Sequence, residues 1–391
     1  MPLIAVKRLH STLKEDFDKE QSMLNSIAQR NHSHIVKLLA TYSYKNQYHL
    51  LFPWAPYNLR EFWVNNPKPR WDHVTVLWVV EQLKGLTSGL CEVHNFKIDK
   101  RNASTLKVPT IDRTRLYPGT VGYISAAEDE YRYGRHGDLK PENILWSNEL
   151  ENVDERGVLQ IADFGLGRFH GRASRSEMLA KSSIASPTYE PPEIPLDRKV
   201  SRAYDIWSLG CIFLEFVTWS LGGLSLVNEF HDLRMVDGGD ETENDKFFTV
   251  INYKEPGCRD AVVRKEVLDW IQGLHKHPRC SGALQELLAL VKDRMLVILP
   301  KERISCKDLR DHFVQLLHHA RDDEFFLLGD APEDVENIQN ATGANSQRTP
   351  SFDEHSQIYI LNEDVDMVGK HRAPKITVEG AQSEEGWLRM C

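Results

Sequence analysis

Nowhere in the 391 residues do two cysteines stand as Cys-x-x-Cys. The six cysteines (Cys91, Cys211, Cys258, Cys280, Cys306 and Cys391) are scattered, which argues against a zinc site and a disulfide scaffold and favours a reducing intracellular setting. A basic surplus is also missing. Forty-eight Lys and Arg against 57 Asp and Glu leave a formal net charge of −9, so no overall footprint for nucleic acid is expected. No basic start followed by an apolar run suggests a secretory signal. No segment approaches the roughly 20 apolar residues that a membrane span requires. The expected location is therefore intracellular, cytoplasmic or nuclear, with no nucleic-acid or membrane partner. "NAS" at 102–104 and "NAT" at 340–342 match the glycosylation pattern, but without a secretory signal they read as chance. Internal repeats are lacking too. What remains is ordinary for a globular protein, 41% hydrophobic and 27% charged, and long enough for one large or two mid-sized domains. The sequence does not specify the oligomeric state.

The pattern of apolar residues changes along the chain. "PLIAVKRL" reads as a strand, followed by "LKEDFDKEQSMLNSIAQ", where Phe17, Met23, Leu24 and Ile27 are near helical spacing. "HIVKLLATYSYKNQYHLLFPWA" reads as two strands about the turn "KNQ". A long helix is predicted from Val74 to His94, then an aperiodic insert over 95–135. "AYDIWSLGCIFLEFVTW" is apolar on nearly every side, as a helix buried in a large domain must be. "ALQELLALVKDRML" and "CKDLRDHFVQLLHH" predict two further amphipathic helices. Beyond about Asp322 the chain turns acidic and polar, and is expected to be disordered or loosely attached.

The stretch "YGRHGDLKPENILW" at 133–146 carries the chemistry. Moving a phosphoryl group from a nucleotide to a hydroxyl needs a carboxylate to accept the proton, oxygen ligands for magnesium, and a cation to offset phosphate charge. Asp138 can be the carboxylate, Lys140 the cation and Asn143 a metal ligand. Twenty residues beyond Asn143, the apolar strand of "LQIADFGLGRF" ends at Asp163, placed to bind the metal from another direction. Plainer readings exist for single residues. Asp138 could cap a turn, Lys7 could be a surface strand lysine, Glu20 shares its helix with other acids such as Glu15, and His136 reads as a packed structural residue.

Taken together these segments resemble the eukaryotic protein-kinase superfamily, Ser/Thr type. "HGDLKPEN" resembles the family's H-R-D-L-x-x-x-N loop, "DFG" matches outright, and "IAVKRL" is similar to its V-A-I-K strand. The resemblance implies that Lys7 contacts the nucleotide's α and β phosphates and pairs with Glu20. "SPTYEPPE" resembles the family's T-x-x-Y-x-A-P-E segment, with Ser186 at the Thr position. "DIWSLG" resembles the start of its buried helix, where Asp205 would brace the catalytic loop. Arg303 matches the late arginine that pairs with Glu193. The resemblance runs from about Leu3 to Leu317, and the insert and loop resemble a group of fungal kinase-like proteins. Small-molecule kinases also carry His-Gly-Asp, but they lack the platform elements "PPE", "DIWSLG" and the late Arg. Lys140 resembles the Ser/Thr pattern rather than the tyrosine one.

The implied fold is α+β, a bilobal protein-kinase-like fold with a truncated, small β-rich N-lobe and a large, mainly helical C-lobe. The partial N-lobe covers 1–54, the C-lobe 55–320 with its insert, and the acidic tail 321–391. ATP would bind between the lobes against Phe52 and the hinge at Pro53 and Ala55, with Mg2+ on Asn143 and Asp163. The implied partner is a protein substrate whose Ser or Thr hydroxyl faces Asp138. Two departures stand out. Only six residues precede Lys7, so the Gly-rich hairpin that normally covers the phosphates is not present and a bare sheet edge is expected. An alternative implied function is therefore a pseudokinase or interaction module with weak or no catalysis. Gly137 replaces the Arg that normally reads a phosphorylated activation loop. Ser174, Ser176, Ser182 and Ser183 could be phosphosites or part of a flexible Ser-rich loop.

Overall fold

A computed structural model of the chain describes residues 3–9, 31–45, 47–95, 135–148, 156–163, 188–198, 200–235, 245–253, 259–332, 334, 358–359 and 387–390. The predicted helix carrying Glu20, most of the 95–135 insert and the four loop serines lie outside them. Branched residues favour extended backbone, and Ile4–Arg8 forms β1 with Ala5 and Val6 buried. It pairs antiparallel with β3 (Gln47–Pro53), which pairs in turn with β2 (Ala40–Tyr44). The other edge of β1, expected to be bare, is covered. Strand β10 (Trp387–Met390) runs antiparallel along it with Trp387 opposite Lys7, and β9 (Ile358–Tyr359) lies parallel outside β10. Pairing gives partners to backbone groups that an open edge would leave exposed.

The larger lobe begins with β4 (Tyr57–Asn58), part of a second sheet with β5 (Ile144–Ser147) and β6 (Val158–Ile161). Helix α1 (Leu59–Asn65) starts in a capping box. Asn58 Oδ1 accepts from Glu61 N at 3.0 Å, and Glu61 Oε2 accepts from Asn58 N at 2.9 Å. Helix α2 (His73–His94) is N-capped by Asp72 and lies within one residue of the predicted start. Residues 34–36 tie the small lobe to this layer, with Val36 N donating to Ile161 O and Ile161 N to His34 O. The His34 ring crosses α2 at Gly85, where a Cβ would stand 2.0 Å from His34 Nε2.

Helix α3 (Ala203–Arg234) is the axis of the large lobe. By length and composition it could cross a membrane, contrary to the sequence expectation, but it is mostly buried inside the fold. Its Trp207, Phe213 and Phe216 pack edge-on to Phe248, Phe313 and Trp78, one of the geometries that aromatic pairs prefer. The helix kinks at Gly223, whose φ of +73° suits glycine and where a Cβ would meet Pro67 O at 2.1 Å. A two-stranded ribbon not foreseen from sequence, β7 (Phe248–Asn252) with β8 (Arg259–Val263), leads to α4 (Lys265–His275). Helix α5 (Gly282–Leu290) runs into a π turn at Val291–Met295. Helix α6 (Cys306–Asp322) and the short α7 (Glu324–Leu328), with Leu327 and Leu328 buried, close the lobe.

Candidate active site

The loop after the insert holds its shape through its own side chains. Pro141 opens a 3-10 turn over Pro141–Asn143, a position that needs no backbone donor. Asn143 Nδ2 donates to Asp138 O at 2.8 Å and to Asp138 Oδ2 at 3.2 Å. Lys140 Nζ lies 4.0 Å from Asp138 Oδ2. His136 is buried and structural. Its Nδ1 accepts from Asp138 N at 3.2 Å, which leaves Nε2 to donate to Ala162 O at 2.9 Å.

Asp205, at the start of α3, braces this loop from below. Its Oδ1 accepts from Gly137 N at 2.8 Å, and its Oδ2 accepts from His136 N at 2.9 Å and contacts His94 Nε2 at 2.8 Å. Burial would raise the Asp205 carboxyl, but the His94 hydrogen bond and charge outweigh it and hold it below the usual range. Gly137 has φ +77°, so the departure from the family's Arg places glycine where left-handed backbone is required.

Asp163 stands two residues past the end of β6, with a left-handed φ of +52°. Lys7, 156 positions earlier, places Nζ 2.6 Å from Asp163 Oδ1. Burial opposes the Asp163 charge, yet Lys7, with smaller contributions from His136 and Lys140, lowers the carboxyl from its ordinary value. The fold thus sets Lys7 on Asp163 and gathers Lys140 and Asn143 about Asp138, the two groups joined where Ala162 N donates to Asn143 O at 2.9 Å. Phe52 is buried opposite Ala5, Pro53 lies opposite Ile4, and Ala55 is in the connection to β4, so all three stand where the lobes join. Glu20, Phe164, Gly165 and Ser186 lie outside the described residues.

Below the loop is a platform held by a buried ion pair and by a second, partly buried cluster. Arg303 Nη1 and Nη2 donate to Glu193 Oε1 and Oε2 at 2.9 and 2.8 Å, so the pairing that the resemblance implied takes a two-pronged form. The second cluster was not foreseen. Glu142 accepts from Arg60 Nε at 2.7 Å, and Arg60 Nη2 donates to Tyr189 OH at 2.6 Å. The Tyr189 hydroxyl donates to Glu215 Oε2 at 2.6 Å, and Arg234 Nη2 donates to Glu215 Oε1 at 2.8 Å. The chain of bonds links the catalytic-type loop to the 188–193 segment and to α3. Glu142 and Tyr189 stood in the quoted motifs, but nothing in the spacing marked Arg60 or Glu215 as their partners. Thr188 Oγ1 also donates to Asp245 Oδ1 at 2.5 Å, anchoring the same segment to the approach to β7.

Comparison with known proteins agrees with this geometry. The protein kinase domain family matches residues 134–314. Cyclin-dependent kinase 11 of Dictyostelium discoideum is 31% identical over 180 residues, 45% of this chain and 45% of that protein. Human 3-phosphoinositide-dependent protein kinase 1 is 30% identical over 166 residues, 42% of this chain and 27% of that protein. Cyclin-dependent kinase 2 of Caenorhabditis elegans is 43% identical over 84 residues, 21% of this chain and 20% of that protein. The matched region spans less than half the length of these relatives. The segment that matches the protein kinase domain family, residues 134–314, holds the loop, the Asp205 brace and the buried Arg303–Glu193 fork, and over that segment the chain is similar to protein kinases.

Proposed function

We propose that the chain transfers the γ-phosphate of ATP to Ser or Thr hydroxyls of protein substrates. The observation that supports this reading best is the convergence of Lys7 and Asp163 at 2.6 Å beside Asp138 and Asn143. In this reading the substrate hydroxyl faces Asp138, whose carboxylate orients it and accepts its proton as the oxygen attacks the γ-phosphorus. Lys140 offsets the charge on the phosphoryl group in transit, and Lys7 holds the α and β phosphates. The Asn143 amide nitrogen is committed to Asp138, which leaves its carbonyl oxygen, with the Asp163 carboxylate, as a hard-oxygen donor set that fits Mg2+. When bound, Mg2+ supplies charge neutralisation on the phosphates. Phe52, Pro53 and Ala55 would back the adenine, and Glu20 would pair with Lys7 once nucleotide draws that lysine from Asp163.

Incubation with radiolabelled ATP, Mg2+ and a generic basic protein tests the reading. Label on substrate Ser or Thr, abolished in a folded Asp138→Asn chain, is the expected result. Nucleotide binding without any transfer would make the chain an interaction module instead.

A further inference from the structure

We propose that Cys91 and Cys306 are a redox pair that closes to a reversible, buried disulfide between α2 and α6. The two sulfurs stand 2.8 Å apart, although 215 positions separate them in the chain. Cys91 Sγ also donates to the Cys306 carbonyl oxygen at 2.9 Å, and Cys306 Sγ points at the carbonyl of Thr87, one turn before Cys91, at 3.5 Å. Both are free thiols held in contact by two packed helices, so bond formation at about 2.05 Å needs only a short approach. Two small apolar side chains would fill the same space, but they would not be poised for covalent chemistry.

The place matters as much as the distance. Cys91 lies one turn before His94, which holds Asp205 under the catalytic-type loop. Cys306 opens α6, three residues after Arg303, which grips Glu193. A bond between them would fasten the helix that leads into the loop to the turn that anchors the platform. Ser305 and Lys307 are exposed on either side of Cys306, so a small oxidant reaches that sulfur after minor fraying of the first turn of α6. Burial pushes the Cys306 thiol well above its ordinary value, which keeps the pair reduced and slow to react until oxidant is abundant.

The oxidant is a peroxide. Cys306 sulfur takes one oxygen of hydrogen peroxide as the O–O bond breaks, giving a sulfenic acid and one water. Cys91 sulfur then attacks that sulfur. The S–S bond forms, the S–O bond breaks, and the hydroxyl leaves with the Cys91 proton as a second water. Two thiols thus lose two electrons to one peroxide, and a dithiol reverses the change.

The test uses the full chain, treated with hydrogen peroxide, blocked with a maleimide under denaturing conditions, digested and read by mass spectrometry. The expected product is a linked Cys91–Cys306 peptide that dithiothreitol abolishes, with Cys211 and Cys280 recovered as blocked free thiols. Closing a loop this long should also raise the melting temperature of the oxidised chain by about 5 °C or more, an increase absent in Cys91→Ala and Cys306→Ala. Recovery of both cysteines as free thiols, at peroxide levels that oxidise glutathione, would overturn the proposal. So would links that join either one indiscriminately to other cysteines. Neither readout requires phosphotransfer, so the outcome is independent of the proposed activity.

Discussion

Replacing Arg303 with alanine should cost the fold more than almost any other single change. Both partners of the Arg303–Glu193 pair are fully buried, with side-chain exposures of 0% and 0%. Besides its two bonds to Glu193, Arg303 donates to the carbonyls of Val297 at 2.6 Å, Ala203 at 2.9 Å and Ile298 at 3.2 Å. Its guanidinium also lies over the Trp207 ring, 5.1 Å from the centroid. Removing it leaves three carbonyls without this donor and a carboxylate buried with no countercharge. Breaking a buried pair in this way costs about 3–5 kcal/mol, because the remaining charge keeps its desolvation penalty and loses the attraction that offset it. For a lobe of this size that corresponds to a fall in melting temperature of roughly 6–20 °C. The assay is thermal and urea unfolding followed by circular dichroism for wild type, Arg303→Ala, Glu193→Gln and the double variant. Glu193→Gln should be milder, since one acceptor oxygen remains and three backbone carbonyls still accept from the guanidinium, although the second oxygen becomes an amide donor. The double variant should be more stable than the sum of the singles predicts, because Gln leaves no orphaned carboxylate. A loss below about 1 kcal/mol in Arg303→Ala would refute the reasoning, since it would mean that Glu193 is either solvated or neutral when alone.

Four other outcomes are expected. Asp138→Asn should abolish phosphotransfer while leaving the melting temperature near wild type; wild-type turnover in that variant would remove Asp138 from the role of base. Gly137→Ala has room, its Cβ meeting Arg135 Nε at 3.4 Å, but φ +77° should cost about 1–2 kcal/mol in the urea midpoint, and no loss would mean the loop relaxes freely. Burial pushes the His34 ring down from 6.5 to about 4, so its neutral form stabilises the fold fully above pH 6.5 and less as pH falls from there to 4. His34→Asn should therefore flatten stability against pH across that window, and an unchanged slope would assign it to other groups. A chain ended at residue 380 loses β10, so alternate amides of β1 should exchange faster with deuterium; unchanged exchange would mean that β10 does not protect the edge.

Some of this was legible because it is local. Asp138, Lys140 and Asn143 lie within six residues, and the 3-10 turn at Pro141 with the Asn143–Asp138 bonds sets their local geometry, while Asp205 from the distant α3 braces the loop beneath them. Helix α2 was legible in its period and its Asp72 cap, and α3 in its apolar faces, though the kink at Gly223 depends on Pro67, far away in sequence. The Arg303–Glu193 fork came through resemblance to a family, not from spacing. The β7–β8 ribbon escaped notice because its strands are short and neither alternates cleanly.

By itself, then, the sequence determined the order of lobes, the catalytic-type loop and the identity of its charged residues, since each is written in contiguous spacing. Only the tertiary structure decided which distant groups meet. Lys7 reaches Asp163, Arg60 joins Glu142 to Tyr189, Cys91 faces Cys306, and the strand at Trp387–Met390 covers the edge of β1. The physical reason is that local backbone geometry repeats with a period that sequence can display. Partnership across a core depends instead on how buried helices and strands pack, and a charged or sulfur-bearing side chain carries no mark of what will lie opposite it.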